Sequence, residues 1–335
     1  MNAHLKAKAM PKPPLAVIFL FSLFICTQTL PAQEQSEQEL TVAGKGAFQL
    51  SLGASLGLLS GQGEEIVYKG ATTDNPLSQL LWYLDPLGLA GVDISLNWQK
   101  QGNRWGFFTD AHFKFGFPGG SGVMQDRDWT DTAYPAYLTH YSVSSNKTER
   151  AMLIDAAVGA SFRLTDFMVI KAYLAYDYIW FSWIASGASL LYPDGQGGHK
   201  YMPDGDIVSY QQTWHIISPA LALNGKLNRY FDIECSVKIS PFLWCATEDR
   251  HLLYEPVMIT VMNMSLGGFF IEPKMVFSWT PRDFISLIFS VAYKNVRTRG
   301  DALQNKDSNP VLSKNSGGGS YQAFDVALGA KFRVD

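Results

Sequence analysis

The chain has 335 residues, of which 47% are hydrophobic, 13% aromatic and only 17% charged. Soluble domains usually carry about a quarter charged residues, yet nothing past the N-terminal segment approaches the ~18 uninterrupted apolar residues of a helical membrane span. A net charge of -3 without a later basic run excludes the electrostatic footprint of a nucleic-acid binder.

The N-terminus has the pattern of an export signal. Lys6, Lys8 and Lys12 form a positive region, Leu15 to Cys26 a short apolar run, and Leu30-Pro31-Ala32 a cleavage site. A signal peptide is expected over 1–32 and one outer-membrane barrel domain over 33–335. Lipidation at Cys26 is a rival reading, poorly served by Phe24-Ile25 before it.

Downstream the main signal is period-two alternation, the mark of strands with two unlike faces. Residues 105–117 set Trp105, Phe107, Phe113, Phe115 and Phe117 against Asp110, His112 and Lys114. Residues 152–164 set Met152, Ile154, Val158, Phe162 and Leu164 against Asp155, Ser161 and Arg163. In 231–240, Phe231, Ile233, Val237 and Ile239 oppose Asp232, Glu234, Ser236, Lys238 and Ser240. Residues 285–293 and 323–334 repeat the pattern. Cys235 and Cys245 fall on one predicted strand, roughly 33 Å apart at about 3.3 Å per residue, which excludes a disulfide between them.

Tight turns at Gln101-Gly102-Asn103, Thr165-Asp166, Asn224 to Asn228 and Pro281-Arg282 alternate with long polar connections near 60–77, 118–148, 186–208, 247–256 and 297–319. Outer-membrane barrels alternate short periplasmic turns with long extracellular loops. The expected fold is therefore all-β: a ten-stranded antiparallel transmembrane β-barrel with both ends periplasmic. Aromatics near predicted strand ends, including Trp82, Trp105, Trp183, Trp244 and Trp279, read as interface girdles or as ordinary strand propensity.

Two polar pairs fall on the predicted outer rim: Asp126-Arg127-Asp128 and Asp249-Arg250-His251. On an extended chain, residues i and i+2 share a side. Asp249 then orients His251 and raises its basicity, and a carboxylate across the mouth helps hold a water for it. DxD and DxH also suit hard metals, and most acidic loops are merely solvated. Uninterrupted alternation from 231–240 would turn Asp249 and His251 outward, so a bulge is expected at Pro241. His112 and His215 fall on predicted strands as satisfied or lumenal residues; His140 and His199 read as loop residues.

The sequence resembles the omptins, ten-stranded outer-membrane endopeptidases of Gram-negative bacteria. The resemblance runs from about Leu50 to Val334. It is carried by Gly57-Leu58-Leu59-Ser60-Gly61, Glu65-Ile66-Val67-Tyr68, Ser78-Gln79-Leu80-Leu81-Trp82, Asp126-Arg127-Asp128-Trp129-Thr130-Asp131 and Asp249-Arg250-His251. It implies that Asp126 and His251 hold the nucleophilic water, that Asp249 orients His251, and that Asp128 supports the tetrahedral intermediate. It also implies that Glu65 is the acid at the base of the substrate pocket and Met124 its apolar wall.

Departures from the family pattern stand beside this. Thr247 occupies the second acid position of that pocket, and it and the adjacent Glu248 are expected among the substrate-binding residues. His140 takes an acidic position that reads the residue after the cut. Trp180 and Thr213 replace lipopolysaccharide-gripping arginines. The expectation is a monomeric cell-surface peptidase cutting near Lys or Arg in polypeptides such as cationic peptides. It needs no cofactor, and the family's lipopolysaccharide dependence is doubtful. A non-catalytic barrel, adhesin or channel, is the alternative.

Overall fold

A computed structural model describes residues 46–100, 102–191, 199–306 and 309–334. The expected signal peptide and the segment up to residue 45 lie outside the described residues. Among the described residues no helix is long and apolar enough to cross a membrane. The chain there is almost wholly strand: β1 (Gly46–Tyr68), β2 (Pro76–Lys100), β3 (Trp105–Gly116), β4 (Gly119–Asp128), β5 (His140–Thr165), β6 (Met168–Leu191), β7 (His199–Lys226), β8 (Phe231–Ser240), β9 (Phe242–His251), β10 (Met258–Arg282), β11 (Ile285–Lys306) and β12 (Asn309–Val334).

Every pairing is antiparallel, and β1 pairs with both β2 and β12, so the sheet closes on itself. Closure leaves no unpaired edge. The segments β3 and β4 run end to end between β2 and β5, as β8 and β9 do between β7 and β10. Counting each end-to-end pair once, the twelve segments make the expected ten staves.

The alternation has the expected physical outcome. Leu56, Val92, Val158, Leu174, Leu221, Leu287 and Leu328 face outward and are exposed, forming an apolar band over the half of the wall nearest the short turns. This band is the membrane-facing surface. Charged partners of the same strands turn into the lumen, where several of them meet a counter-charge. Lys238 bonds Asp155 at 2.6 Å and Asp177 at 3.0 Å; Lys294 bonds Asp177 at 2.8 Å and also Glu272. Lys171 meets Glu234 at 2.7 Å, Lys114 meets Asp325 at 2.5 Å, and His112 bonds Asp93. Breaking one such buried pair costs about 3–5 kcal/mol, because it strands the partner charge. Below this network the lumen widens into a polar cavity of about 710 Å³.

Beyond the band the staves continue outward as a platform. The connections expected to be long are mostly strand: among the described residues, the links left between paired strands at the outer rim are 69–75, 129–139 and 252–257. Above the membrane both faces of a strand meet water or protein, so polar sequence does not end it. Trp82 and Trp183 are not girdle residues. Both are fully buried inside the barrel, whereas Trp105, Trp244 and Trp279 are exposed on its outer wall. Cys235 and Cys245 are free thiols on successive segments.

Candidate active site

Two slips in the alternation build the site. In β8 the even residues Ser236, Lys238 and Ser240 are buried; in β9 the odd residues Leu243, Cys245, Thr247 and Asp249 are. Pro241 separates them, at the expected bulge. The Ser240 hydroxyl oxygen accepts from the Phe242 amide there at 2.8 Å. The register with β7 shifts by one residue, between Ala220↔Lys238 and Ile217↔Phe242. Asp249 and His251 thereby face inward. On the opposite wall the register of β4 on β5 slips between Gly120 and Val123. Gly122 sits there at φ 101°, a conformation that favours glycine. Met124 is buried as a result, and Asp126 and Asp128 follow in phase with it.

The two pairs face one another. His251 Nε2 lies 2.8 Å from Asp249 Oδ2, and Asp249 is only 2% exposed. Burial works against a charged His251, but the Asp249 hydrogen bond and the Asp249, Asp126 and Asp128 charges outweigh it, so its pKa is raised. Asp126 is pushed up to about 7, first by burial and then by Asp128, while the His251 charge pulls it down. Its Oδ1 is buried without a hydrogen-bond partner. Asp128 is also raised by burial, offset by the Ser78 hydroxyl and by His140 and His251.

Glu65 lies beneath both pairs. It is 1% exposed, its Oε2 has no partner, and burial, then Asp249 and Asp126, drive its pKa well up. Around the acids lies an aromatic floor that sequence reasoning missed. Tyr210 stacks on Trp82 (centroids 5.4 Å, 11°) and on Trp183 (5.7 Å, 12°), and Trp183 on Phe181 at 4.9 Å. Such stacking adds about 0.5–1.5 kcal/mol per pair beyond the area buried. Tyr210 pairs in register with Asp249, so the floor fixes the height of the dyad. Its only sequence signal was the alternation of Tyr210, Gln212 and Trp214, all buried.

The pocket residues divide. Met124 is buried beside Trp82, its register partner. Thr247 is buried with its Oγ1 unpartnered. Glu248 does not join the site: one position from Thr247 on a strand, it faces the other way, and its carboxylate pairs with Arg250 at 2.5 Å on the outer wall. His140, expected in a loop, is the first residue of β5 and the cross-strand partner of Asp128.

A comparison at the level of protein families matches the Omptin family over residues 47–334. The chain belongs to the omptin family. Among solved structures, the outer membrane protease OmpT from Escherichia coli superposes with a TM-score of 0.77 at 18% identity, covering 85% of this chain and 97% of that one. The outer membrane protein OprG from Pseudomonas aeruginosa (TM-score 0.36, 10% identity, 87% and 98% covered) and the Pseudomonas putida toluene transporter TodX (0.34, 9%, 84% and 89%) are too distant to bear on the fold. No curated protein sequence matches.

This omptin is thus an outer-membrane β-barrel with a protease fold. Trp180 and Thr213 are cross-strand partners on β6 and β7. Trp180 borders an outer-wall cavity of about 380 Å³ shared with Lys147 and Arg150.

Proposed function

We propose that this omptin is an endopeptidase at the cell surface, cutting polypeptides beside Lys or Arg. The observation that carries this is the Asp249–His251 dyad at 2.8 Å, electrostatically linked to a buried Asp126 carboxyl whose Oδ1 is free to bind water. The site faces the extracellular side, at the rim remote from the short turns. His251 takes a proton from a water held with Asp126, Asp249 orients and stabilises the imidazolium, and the water attacks the peptide carbonyl without a covalent intermediate. Asp128 stands beside the developing tetrahedral centre.

Glu65, Asp126, Asp128 and Asp249 surround a single dyad imidazole, which favours a cationic side chain. An entering Lys or Arg would lower the pKa of Glu65 and ionise it, forming a charge-assisted hydrogen bond. With Thr247 uncharged, one acid rather than two reads the cation. A lipopolysaccharide requirement is doubtful, since Trp180 and Thr213 offer it no charge, although Lys147 and Arg150 border the same outer-wall cavity. Cationic peptides are the expected substrates. The channel alternative is opposed by the lysine–carboxylate network and the aromatic floor, which fill the bore.

The test is cleavage of monobasic, dibasic and neutral fluorogenic peptides by the barrel in lipopolysaccharide-free detergent. Wild type should cut the basic ones; His251→Ala and Asp126→Asn should each lose at least ~100-fold in kcat. Variants as fast as wild type would remove this site from the reaction. Binding of a host polypeptide without cleavage would favour the adhesin reading.

A further inference from the structure

From the far side of the barrel a glutamine reaches across to the strand of Glu65. Going round the wall from β1 to β7 passes β2, the β3–β4 pair, β5 and β6 one way, and β12, β11, β10 and the β8–β9 pair the other. The two strands therefore face one another across the bore. Gln212 on β7 is fully buried and spans it. Its Nε2 donates to the carbonyl oxygens of Glu64 on β1 at 3.1 Å and of Ser320 on β12 at 3.2 Å, and the Tyr210 hydroxyl oxygen lies 3.2 Å away.

These contacts decide which end of the amide is which. A carbonyl oxygen only accepts, so the end that faces two of them is the NH2. The other end, Oε1, is an acceptor that is buried and has no partner. A bare buried acceptor is a standing cost to the fold. Oε1 fronts Gly63, where a Cβ would lie 3.2 Å from it and 2.8 Å from the Trp183 ring. Gly63 precedes Glu65 by two positions, so both share one face of β1. Residue 63 has no side chain to put between Gln212 Oε1 and the Glu65 carboxyl.

Two more bare oxygens stand at this level. Thr247 on β9 is the register partner of Gln212, and its Oγ1 is unpartnered. Glu65 Oε2 is unpartnered as well. The head group that satisfies such a set donates and does not accept. The ammonium of Lys and the guanidinium of Arg do this.

We infer that Gln212 is a specificity-determining residue of the cation pocket. Its Oε1, held in place by the cross-bore hydrogen bonds of its own Nε2, accepts from the Lys or Arg head beside Glu65, with Thr247 Oγ1 as a further acceptor. The inference rests on the reading of Glu65 as the acid that takes the basic side chain. The amide is uncharged, so it adds an acceptor without adding to the repulsion that Asp249 and Asp126 already exert on Glu65.

The experiment measures binding of two labelled peptides to the full barrel in detergent. They differ only in carrying Arg or citrulline, its uncharged analogue with an oxygen in place of one NH2 group. The barrel carries His251→Ala, so that no cleavage intervenes. Adding Gln212→Met, close in shape and without hydrogen-bonding power to match, should weaken the Arg peptide ~10-fold or more. The citrulline peptide should change by about twofold at most, and its retained binding shows that the variant folds. Thr247→Val should weaken the Arg peptide by a smaller factor. Equal weakening of both peptides would make Gln212 a brace of the barrel and nothing more. An unchanged Arg peptide would place its Oε1 outside the pocket. Either result overturns the inference. If the parent barrel prefers Arg no more than citrulline, the Glu65 reading falls and takes this inference with it. Cleavage with His251 restored tests the endopeptidase reading separately.

Discussion

Replacing Glu65 by Gln separates the two things that a buried acid can do. Its side chain is 1% exposed and one of its oxygens has no partner, and burial, with Asp249 and Asp126 beside it, raises its pKa and favours the protonated form. Gln has nearly the same shape and no charge, so the fold should tolerate it. With a Lys or Arg substrate bound, wild-type Glu65 ionises and makes a charge-assisted hydrogen bond worth about 1.5–3 kcal/mol, which Gln cannot match. At ~1.4 kcal/mol per tenfold, kcat/KM for a basic peptide should fall roughly 10- to 100-fold. Neutral peptides should be unaffected. Ionising Glu65 costs ~1.36 kcal/mol for each unit that its pKa lies above the working pH. The wild-type advantage therefore grows as pH rises towards that pKa. Stability moves the other way. A carboxyl raised above its ordinary value of 4.5 binds more protons in the native state, so its stabilising contribution is full below that value and is lost as pH rises through the folded pKa. Wild type should lose stability relative to Glu65→Gln across that window. Peptide kinetics and urea unfolding from pH 5 to pH 9 measure both. Equal losses on basic and neutral peptides, or a ratio independent of pH, would refute the reasoning.

Asp249→Asn removes the group that most raises the His251 pKa. The acidic limb of the kcat/KM profile should move to lower pH while kcat drops; an unmoved limb would mean that another group titrates there. Arg299 clamps the 69–75 connection, bonding Asp74 at 2.9 Å and the Gly70 and Thr73 carbonyls at 2.7 and 2.9 Å. Arg299→Ala should make that connection sensitive to limited proteolysis, and Arg299→Lys should restore protection only in part, because one ammonium cannot reach all three. On the lipid face, Leu174→Arg should destabilise the barrel by ~2–4 kcal/mol, seen as a lower urea midpoint in vesicles, with kcat of the surviving barrel unchanged.

The barrel was legible because lipid enforces a strict period: one face of each spanning strand must be apolar and the other must not. That rule marks 105–117, 231–240 and 323–334 at sight. It lapses above the membrane, where the staves run on through sequence that reads as loop. The Asp-x-Asp and Asp-x-His pairs were legible because spacing by two puts both groups on one side whatever the register. Which side was another matter, set by Pro241 and Gly122. Pro241 carries a local chemical signal; the slip at Gly122 follows an earlier change of phase after Gly116, and the two cancel in the pattern. Glu248 was misread because adjacency along a strand means opposite faces. Trp82 and Trp183 stayed undecided because an aromatic near a strand end serves girdle and plug equally, until register chooses.

The barrel treats its buried charges in two ways, and the contrast locates the work. In the lumen Lys238 holds three carboxylates and Lys294 two, and the network is closed by direct ion pairs. At the outer mouth, Glu65, Asp126 and Asp249 each keep a buried oxygen without a partner, and so does the hydroxyl of Thr247. Among the described residues, no lysine or arginine is placed with these groups, although the same fold supplies lysines a few positions below. Each unsatisfied buried group costs roughly 1–3 kcal/mol, so the mouth is held at a loss that the aromatic stack and the closed sheet offset. A lysine there would remove that loss and would also occupy the place of a cationic substrate. The unpaired acids are therefore what the proposed reaction needs in the free protein: a water site at Asp126 and an uncommitted Glu65.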